Sequence, residues 1–283
     1  MQLLVQAAVA LDLLSLRPGN RIGLGLLGGS IAANPEISSM IEHHAAFYAD
    51  LADPVALLEG RAGATRLAAF WPYARRHDAS GALESEEVAG YSRLMAESQG
   101  LLVDDILDAY PFAAHQDILD VGGGEGGFVS TLARRHPGHR LHLFDLPAVA
   151  ERARLRLRAA GQEAAIAVSG GDFLVDELPG GMDLVTLVRI AHDHDDDALR
   201  RILAAIRRAL RPGGTVLIAE PMAGSFEARR VSDVYFAFYL LAMGSGRPRS
   251  PDELRMLMSE AGFTTFRRHR TPRPTIVSVV SVT

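Results

Sequence analysis

The most informative part of this chain is Asp120-Val121-Gly122-Gly123-Gly124-Glu125-Gly126-Gly127. It follows an apolar pair at 118–119 and precedes a helical pattern over 128–136. A strand, a glycine-rich turn and a helix in this order are typical of the first turn of a nucleotide-binding βαβ unit. The glycines allow a sharp turn and let a ligand lie against bare main chain. The acid two positions before the first glycine favours a cofactor with a positive centre over a pyrophosphate.

The rest of this half alternates strands with helices. Strands are predicted at 117–121, 140–146, 164–168, 183–189, 214–221 and 275–282, and helices at 128–136, 147–160, 196–210, 228–243 and 251–261. This alternation predicts an α/β fold with a mostly parallel sheet that is covered on both faces. The half before it reads as helical, with helices at 1–14, 35–49 and 85–110, a hairpin-like segment at 21–25 and a break at Asp53-Pro54. We predict three regions: 1–30, 31–110 and 111–283.

Composition excludes several classes of protein. The chain has 283 residues, of which 48% are hydrophobic, so it is globular. The net charge of −5 gives no general attraction to nucleic acid or to an anionic membrane. No cysteine is present, which excludes disulfides and thiolate metal sites. The apolar start lacks the basic region and cleavage site of a signal peptide, and no apolar run could span a bilayer. We expect a cytoplasmic protein.

Three acids follow successive predicted strands: Asp120, Asp145 and Asp172. Asp145 lies about 20 residues past the glycines, where an acid binds ribose hydroxyls in dinucleotide sites. Asp172 could accept a hydrogen bond from an adenine amine while Phe173 packs on the ring. One strand-end aspartate often only caps the next helix, but three in succession are harder to explain that way. A sulfonium cofactor fits this set, because acidic groups tolerate its positive charge and no second βαβ set is present for a nicotinamide half.

Two candidate catalytic residues follow the later strands. His192 is predicted at the cofactor's edge of the sheet, where it can act as a general base near neutral pH. Glu220 ends the fifth strand, and a carboxylate facing the imidazole would orient it and raise its basicity; the alternative is a solvated strand-end acid. The acids at 195–197 are typical of a helix start. A metal site formed with His194 is the other interpretation, but we predict no metal because sulfonium methyl transfer needs none.

The predicted helix at 228–243 is too apolar for a surface helix. It is therefore either core or the wall of a hydrophobic substrate pocket, and the residues assigned to that wall are Tyr235, Phe236, Tyr239 and Met243. Further aromatic side chains that could hold a substrate are Phe47, Tyr48, Trp71 and Tyr73. His43 and His44, on the predicted helix at 35–49, are interpreted as structural.

Several of these motifs resemble the S-adenosylmethionine-dependent O-methyltransferases of the caffeate and hydroxyindole type. The matching pieces are Asp120-Val121-Gly122-Gly123-Gly124, Phe144-Asp145-Leu146-Pro147, Gly171-Asp172-Phe173, His192-Asp193 and Leu210-Arg211-Pro212-Gly213-Gly214. The resemblance implies that His192 is the base, flanked by Glu220, that Asp145 holds the ribose and that Asp172 meets the adenine. It also places Gly122 by the methionine portion. The predicted cofactor set is completed by Gly124, Leu146, Phe173 and Arg189, the last lying one position after the basic residue of plant members.

A closer resemblance spans essentially the whole chain. It rests on Glu42-His43-His44, the segments at 48–54 and 71–73, His192-Asp193-His194-Asp195-Asp196 and the segment at 241–249. These look like the bacterial carotenoid O-methyltransferases that act on hydroxyneurosporene and demethylspheroidene. The resemblance implies methylation of the C-1 tertiary hydroxyl of an acyclic hydroxycarotenoid. Alternatives are a bacteriochlorophyllide C-methyltransferase, an O-methyltransferase of a small phenol, a regulatory binding protein and a NAD-dependent oxidoreductase.

The chain departs from the family in two places. The family usually has a second glutamate near Pro248, where this sequence reads Gly246-Arg247-Pro248-Arg249. The segment at 1–27 resembles only the last helix and wing of a winged-helix dimerisation domain, so a truncated remnant is expected. The homodimer of the family is therefore left open. The remnant lacks a basic stripe, which argues against DNA binding, and a carotenoid substrate would allow peripheral membrane association.

Overall fold

A computed structural model describes residues 1–71, 100 and 102–283 of the chain. Contacts divide the chain into two units, Met1–Ala45 and Ala46–Thr283. The finer division at residues 30 and 110 stays a prediction. Among the described helices, none is long and apolar enough to cross a membrane.

The first unit begins with a helix and a hairpin. Its elements are α1 (Gln2–Ala10), β1 (Leu14–Arg17), β2 (Arg21–Leu24), α2 (Leu26–Ala32) and the start of α3 (Pro35–Asp50). Strands β1 and β2 pair antiparallel around Gly19 and Asn20, which both have a positive φ. The predicted hairpin is confirmed, and a helix followed by a hairpin is the order expected of a last helix and wing. The first helix was predicted four residues too long, because Asp12 has a φ of 56° that no right-handed helix accepts.

The second unit contains the alternating elements. They are α4 (Pro54–Leu58), α5 (Arg66–Phe70), α6 (Val103–Ala109), β3 (Asp117–Val121), α7 (Gly127–Arg135), β4 (Arg140–Asp145), α8 (Pro147–Ala159), β5 (Ile166–Gly170), β6 (Met182–Val188), α9 (Asp196–Ala209), β7 (Leu210–Glu220), a π-helix (Arg230–Phe236), α10 (Ala237–Met243), α11 (Pro251–Glu260), β8 (Phe266–His269) and β9 (Ser278–Val282). Of the predicted helix at 85–110, the part before α6 lies outside the described residues, apart from residues 100 and 102, and Tyr73 lies outside them too.

The central sheet has seven strands in the order β5-β4-β3-β6-β7-β9-β8. The first five are parallel, while β9 pairs antiparallel with β7 and β8. Strand β3 is buried along its whole length, as expected of a strand covered on both faces. The strand order reverses at β3, with β4 on one side and β6 on the other, and ligands of such sheets bind outside the carboxyl ends at this point. The predicted α/β fold with a mostly parallel sheet is confirmed.

One strand was missed, and one predicted helical segment contains two types of helix. Strand β8 was not predicted, because its sequence, Phe-Arg-Arg-His, has no apolar alternation; it lies at the sheet edge, where exposed arginines are tolerated. The helix predicted over 228–243 is a π-helix followed by the α-helix α10. π-Helical turns are rare, and they occur frequently at functional sites.

Helix α9 shows why the acids at 195–197 precede it. The Asp195 side chain accepts a hydrogen bond from the Ala198 amide at 2.8 Å, which caps the helix, and Asp196 and Asp197 lie in the first turn. The buried face repeats at helical spacing and consists of Leu199, Ile202, Leu203 and Ile206. The predicted helix-start role of these acids is confirmed.

Leu132 offers a test of the core beside the glycine turn. Its side chain on α7 is 0% exposed, whereas that of Leu155 on α8 is 57% exposed. We expect Leu132→Ala to lower the free energy of unfolding by about 2–5 kcal/mol, because it leaves a cavity. The matched control Leu155→Ala should change this free energy by less than about 0.5 kcal/mol. Urea titrations followed by circular dichroism measure both, and equal losses would contradict the packing.

Candidate active site

The glycine turn joins β3 to α7. Gly122 has a φ of 71°, and a Cβ there would lie 2.4 Å from Cδ1 of Ile190, so both conformation and packing require glycine. Gly124 has a φ of 59°, but a Cβ there would meet no described atom within 4 Å. The Ile190 side chain therefore occupies the space that a Cβ on Gly122 would need, while the corresponding space at Gly124 is open.

Two buried carboxyl groups lie beside the turn. Asp120 is 1% exposed; its Oδ1 accepts a hydrogen bond from the Thr186 hydroxyl at 2.6 Å, and its Oδ2 has no hydrogen-bond partner among the described residues. Burial raises the pKa of Asp120 to about 7. Asp145 accepts hydrogen bonds from the amides of Gly124 and Leu146, both at 2.7 Å, and burial raises its pKa to about 6. A positively charged ligand would favour the ionised form of both groups.

Asp172 and Phe173 follow β5. The Asp172 carboxylate accepts a hydrogen bond from the Leu174 amide at 2.9 Å, so it stabilises its own turn. The Phe173 ring lies 3.7 Å from the place of a Cβ on Gly122, and its centroid lies 5.4 Å from that of His194. The structure thus brings Phe173 to the glycine turn, while adenine contact by Asp172 stays a prediction.

His192 lies in a 3-10 turn after β6, at residues Ala191–Asp193, and is 2% exposed. Its ring Nε2 lies 3.2 Å from Oδ1 of Asp193, and its centroid lies 5.6 Å from that of Phe236. Its main-chain N–H donates to Oε2 of Glu220 at 3.0 Å. Neither Nδ1 of His192 nor Oε1 of Glu220 has a hydrogen-bond partner in the described part of the chain. Glu220 therefore holds the main chain of His192, and the carboxylate on the ring is that of Asp193, which the sequence prediction did not assign.

His192, Asp193 and Glu220 shift one another's pKa values. Burial by itself would lower the pKa of His192, but the carboxylates of Asp193 and Glu220 outweigh it, so this pKa lies above its ordinary value. Burial raises the pKa of Glu220 against the opposing effect of His192. The pKa of Asp193 lies below its ordinary value, because the nearby His192 outweighs burial. This arrangement stabilises a protonated imidazole, as a general base requires after it has taken a proton.

The aromatic residues of the predicted wall lie together. Trp71 Nε1 donates to the Tyr239 hydroxyl at 3.0 Å, and the Phe47 ring lies 5.6 Å from Tyr235 and 5.3 Å from Tyr239 between centroids. Met243 is buried in the same cluster. Because Phe236 contacts both Tyr235 and the His192 ring, the cluster reaches the candidate base.

Arg189 lies with this cluster. Its φ of 58° is unusual for a residue with a side chain, and its amide donates to the Ala219 carbonyl at 2.8 Å. Burial raises the pKa of Tyr235 to about 12, and the positive charge of Arg189 opposes that rise. The charge of Arg189 therefore acts on the aromatic wall, and its predicted cofactor contact stays a prediction.

Other candidates have local partners. In the first unit, His44 Nδ1 pairs with the Met40 carbonyl of its own helix, and burial lowers the pKa of His43 to about 4. Within residues 1–71, 100 and 102–283, no three His, Asp or Glu side chains are grouped so as to hold a metal ion.

Sequence comparison places the chain among known enzymes. The profile of the O-methyltransferase domain matches residues 48–264. The demethylspheroidene O-methyltransferase of Cereibacter sphaeroides is 42% identical over 99% of this chain and 73% of its own length. The enzyme of the same name from Rhodobacter capsulatus is 41% identical over 98% of this chain and 68% of its own length.

Structure comparison gives the same fold. The human N-acetylserotonin methyltransferase, whose crystal structure contains S-adenosylmethionine, has a TM-score of 0.73 with 22% sequence identity, over 99% of this chain and 81% of that one. The predicted resemblance is confirmed. The chain belongs to the O-methyltransferase family and is an S-adenosylmethionine-dependent enzyme that acts on a small molecule.

Proposed function

We propose that this enzyme methylates the C-1 tertiary hydroxyl of an acyclic hydroxycarotenoid of the demethylspheroidene type, with His192 as the general base. The names of the two relatives that match nearly the whole chain support the substrate class. The observation that carries the proposal is the setting of His192: a buried imidazole with a carboxylate on one nitrogen and an aromatic cluster beside its ring. A long apolar substrate with one hydroxyl group suits such a site.

The residues at the strand ends fit S-adenosylmethionine. Asp145 and Leu146 would hold the ribose, Gly122 and Gly124 would offer main chain to the methionine portion, and Asp172 with Phe173 would meet the adenine. The buried Oδ2 of Asp120, which has no hydrogen-bond partner among the described residues, suits a ligand with a cationic end. The bound cofactor supplies an electrophilic methyl group on a positively charged sulfur.

The chain's own residues handle the substrate hydroxyl. A tertiary alcohol is a poor acid, so His192 should take its proton while the oxygen attacks, and positioning supplies much of the acceleration. Nδ1 of His192 has no hydrogen-bond partner within the described residues and is the nitrogen available to accept this proton, in the ring orientation found here. Asp193 on Nε2 would stabilise the imidazolium, and Glu220 would fix the main chain.

The aromatic wall would bind the polyene. The wall consists of aromatic rings and a thioether, which offer apolar surface to a polyene. The residues are Tyr235, Phe236, Tyr239 and Met243. They would also exclude water from the hydroxyl group. Contact with a membrane surface remains a prediction that accompanies this substrate, and the homodimer of the family is left open.

A product assay tests the substrate and the base together. Incubation with S-adenosylmethionine and a 1-hydroxycarotenoid should yield a carotenoid one methyl group heavier. We expect His192→Gln to lower kcat by about 100- to 10,000-fold, because general-base catalysis is lost, while cofactor affinity stays the same. A C-methylated bacteriochlorophyllide or a methylated phenol as the preferred product would overturn the carotenoid assignment.

The pH dependence of kcat tests the carboxylate on the ring. The base must be neutral to accept a proton, and Asp193 raises the pKa of His192 above 6.5. We therefore expect kcat to rise with pH, with an inflection above 6.5, and to fall as His192 becomes protonated at lower pH. Asp193→Asn should move the inflection to lower pH, because the neutral amide no longer stabilises the imidazolium. An inflection that stays in place would exclude Asp193 as the partner of His192.

Cofactor binding should release protons. Burial raises the pKa of Asp120 to about 7, and a cationic ligand lowers it again, so the dissociation constant should increase by up to about tenfold per pH unit below that value. Calorimetry in two buffers of different ionisation enthalpy measures the protons released at pH 7. Asp120→Asn should reduce the release. Asp117→Asn is the matched control at the other end of β3, where hydrogen bonds from Arg140 and Arg211 keep the pKa of Asp117 low. Equal release in all three proteins would contradict the role of Asp120.

A further inference from the structure

The segment Ser245–Arg249, between α10 and α11, holds the turn that carries His192. Every main-chain carbonyl from residue 191 to 194 accepts a hydrogen bond from it. The donors are Arg249 Nη1 to Ala191 at 2.7 Å, Arg247 N to His192 at 2.9 Å, Ser245 Oγ to Asp193 at 2.7 Å and Arg249 Nη2 to His194 at 2.7 Å. Three residues of this segment, which lie more than 50 positions later in the chain, thus hold four consecutive carbonyls.

Arg249 is the centre of this contact. Its side chain is 0% exposed, and its Nε and Nη2 also donate to Oδ1 of Asp196, at 2.8 and 2.6 Å. The carboxylate compensates the buried charge, while the remaining donors bind the carbonyls of residues 191 and 194. The planar fork of a guanidinium can bind these groups at once, and the single ammonium of a lysine cannot.

Gly246 lets the two segments approach. Its φ is 76°, and a Cβ there would lie 2.1 Å from the His192 carbonyl oxygen and 2.5 Å from the carbonyl carbon of Asp193. A side chain would therefore push the His192 main chain away. Gly244 also has a positive φ, of 86°, but a Cβ on it would meet nothing within 4 Å in the described structure.

We propose that the Ser245–Arg249 segment is a positioning element for the base and that Arg249 is its principal positioning residue. The proposal rests on the proposed function, because it takes His192 as the base. The main-chain N–H of His192 is held by Glu220 on β7, and its carbonyl by Arg247. With both groups held from different elements, the main chain that carries the His192 ring is fixed in place.

Gly246→Ala and its matched control Gly244→Ala provide the first test. Both put a side chain at a positive φ, but only the first collides with the His192 main chain. A displacement of about 1 Å can reduce a rate about 100-fold, so we expect Gly246→Ala to lower kcat by about that factor. Its affinity for S-adenosylmethionine should match the wild type, which shows that the sheet edge is intact. Gly244→Ala should keep the wild-type kcat.

Arg249→Met and Arg200→Met form the second pair. Each removes one arginine that pairs with an acid in the first turn of α9, Asp196 or Asp197, but Arg200 is exposed and binds no carbonyl of the His192 turn. We expect Arg249→Met to lower kcat strongly, Arg249→Lys to restore only part of it, and Arg200→Met to have no effect. A full rescue by lysine would mean that charge alone matters, and would overturn the positioning role.

The imidazole of His192 gives a readout that does not depend on turnover. In histidine-labelled protein, its NMR signal is assigned as the one that disappears in the His192→Gln variant. It should shift in Gly246→Ala and Arg249→Met but not in the two controls. If the signal and kcat of Gly246→Ala equal those of Gly244→Ala, the proposal is wrong. If the wild type methylates no substrate, the proposed function fails, and the His192 signal still decides whether the segment positions the ring.

Discussion

Parallel pairing of β3 with β4 on one side and β6 on the other is the constraint on which the site depends. The register sets Asp120 opposite Thr186 and Val121 opposite Phe144, so the acids at the ends of β3 and β4 lie on either side of the glycine turn. The Thr186 hydroxyl can bond Asp120 only because the two strands pair in this register. The same edge receives Phe173 after β5 and His192 after β6. A chain of 283 residues thus concentrates its chemistry at one edge of one sheet.

This edge holds acids that burial disfavours. Asp120 and Glu220 are 1% and 0% exposed, and burial raises the pKa of both. A fold selected for stability alone would replace such groups by apolar ones of similar volume. Their retention makes sense if a cationic cofactor and an imidazolium supply the opposite charge during the reaction cycle. Burying these carboxyl groups costs free energy in the free protein, and a positively charged ligand that pairs with them offsets this cost.

The sequence predicts local features of this site better than distant ones. The β3–turn–α7 unit and the capped start of α9 follow from glycine spacing and from acids before a 3.6-residue period, which are local signals. The sequence could not predict that Asp193 contacts the His192 ring while Glu220 binds its main chain, because this depends on side-chain directions within a 3-10 turn. Strand β8 and the π-helix could not be predicted either, because neighbouring elements determine the backbone conformation of both. The burial of Arg249 was not predicted from the sequence, because its partners on the His192 turn lie more than 50 positions earlier in the chain.

The proposed base lies on a turn, which is held less rigidly than a strand. His192 lies four residues beyond the end of β6, so the ladder of hydrogen bonds that fixes Val188 no longer holds it. Catalytic groups nevertheless need support from surrounding residues to hold a productive geometry. Here that support comes from two directions: a strand-end glutamate on the N–H of His192 and a loop from beyond the aromatic helix on its carbonyl. Because that loop follows α10 directly, a substrate that shifts the aromatic wall would also change the hydrogen bond from Arg247 that holds the carbonyl of His192.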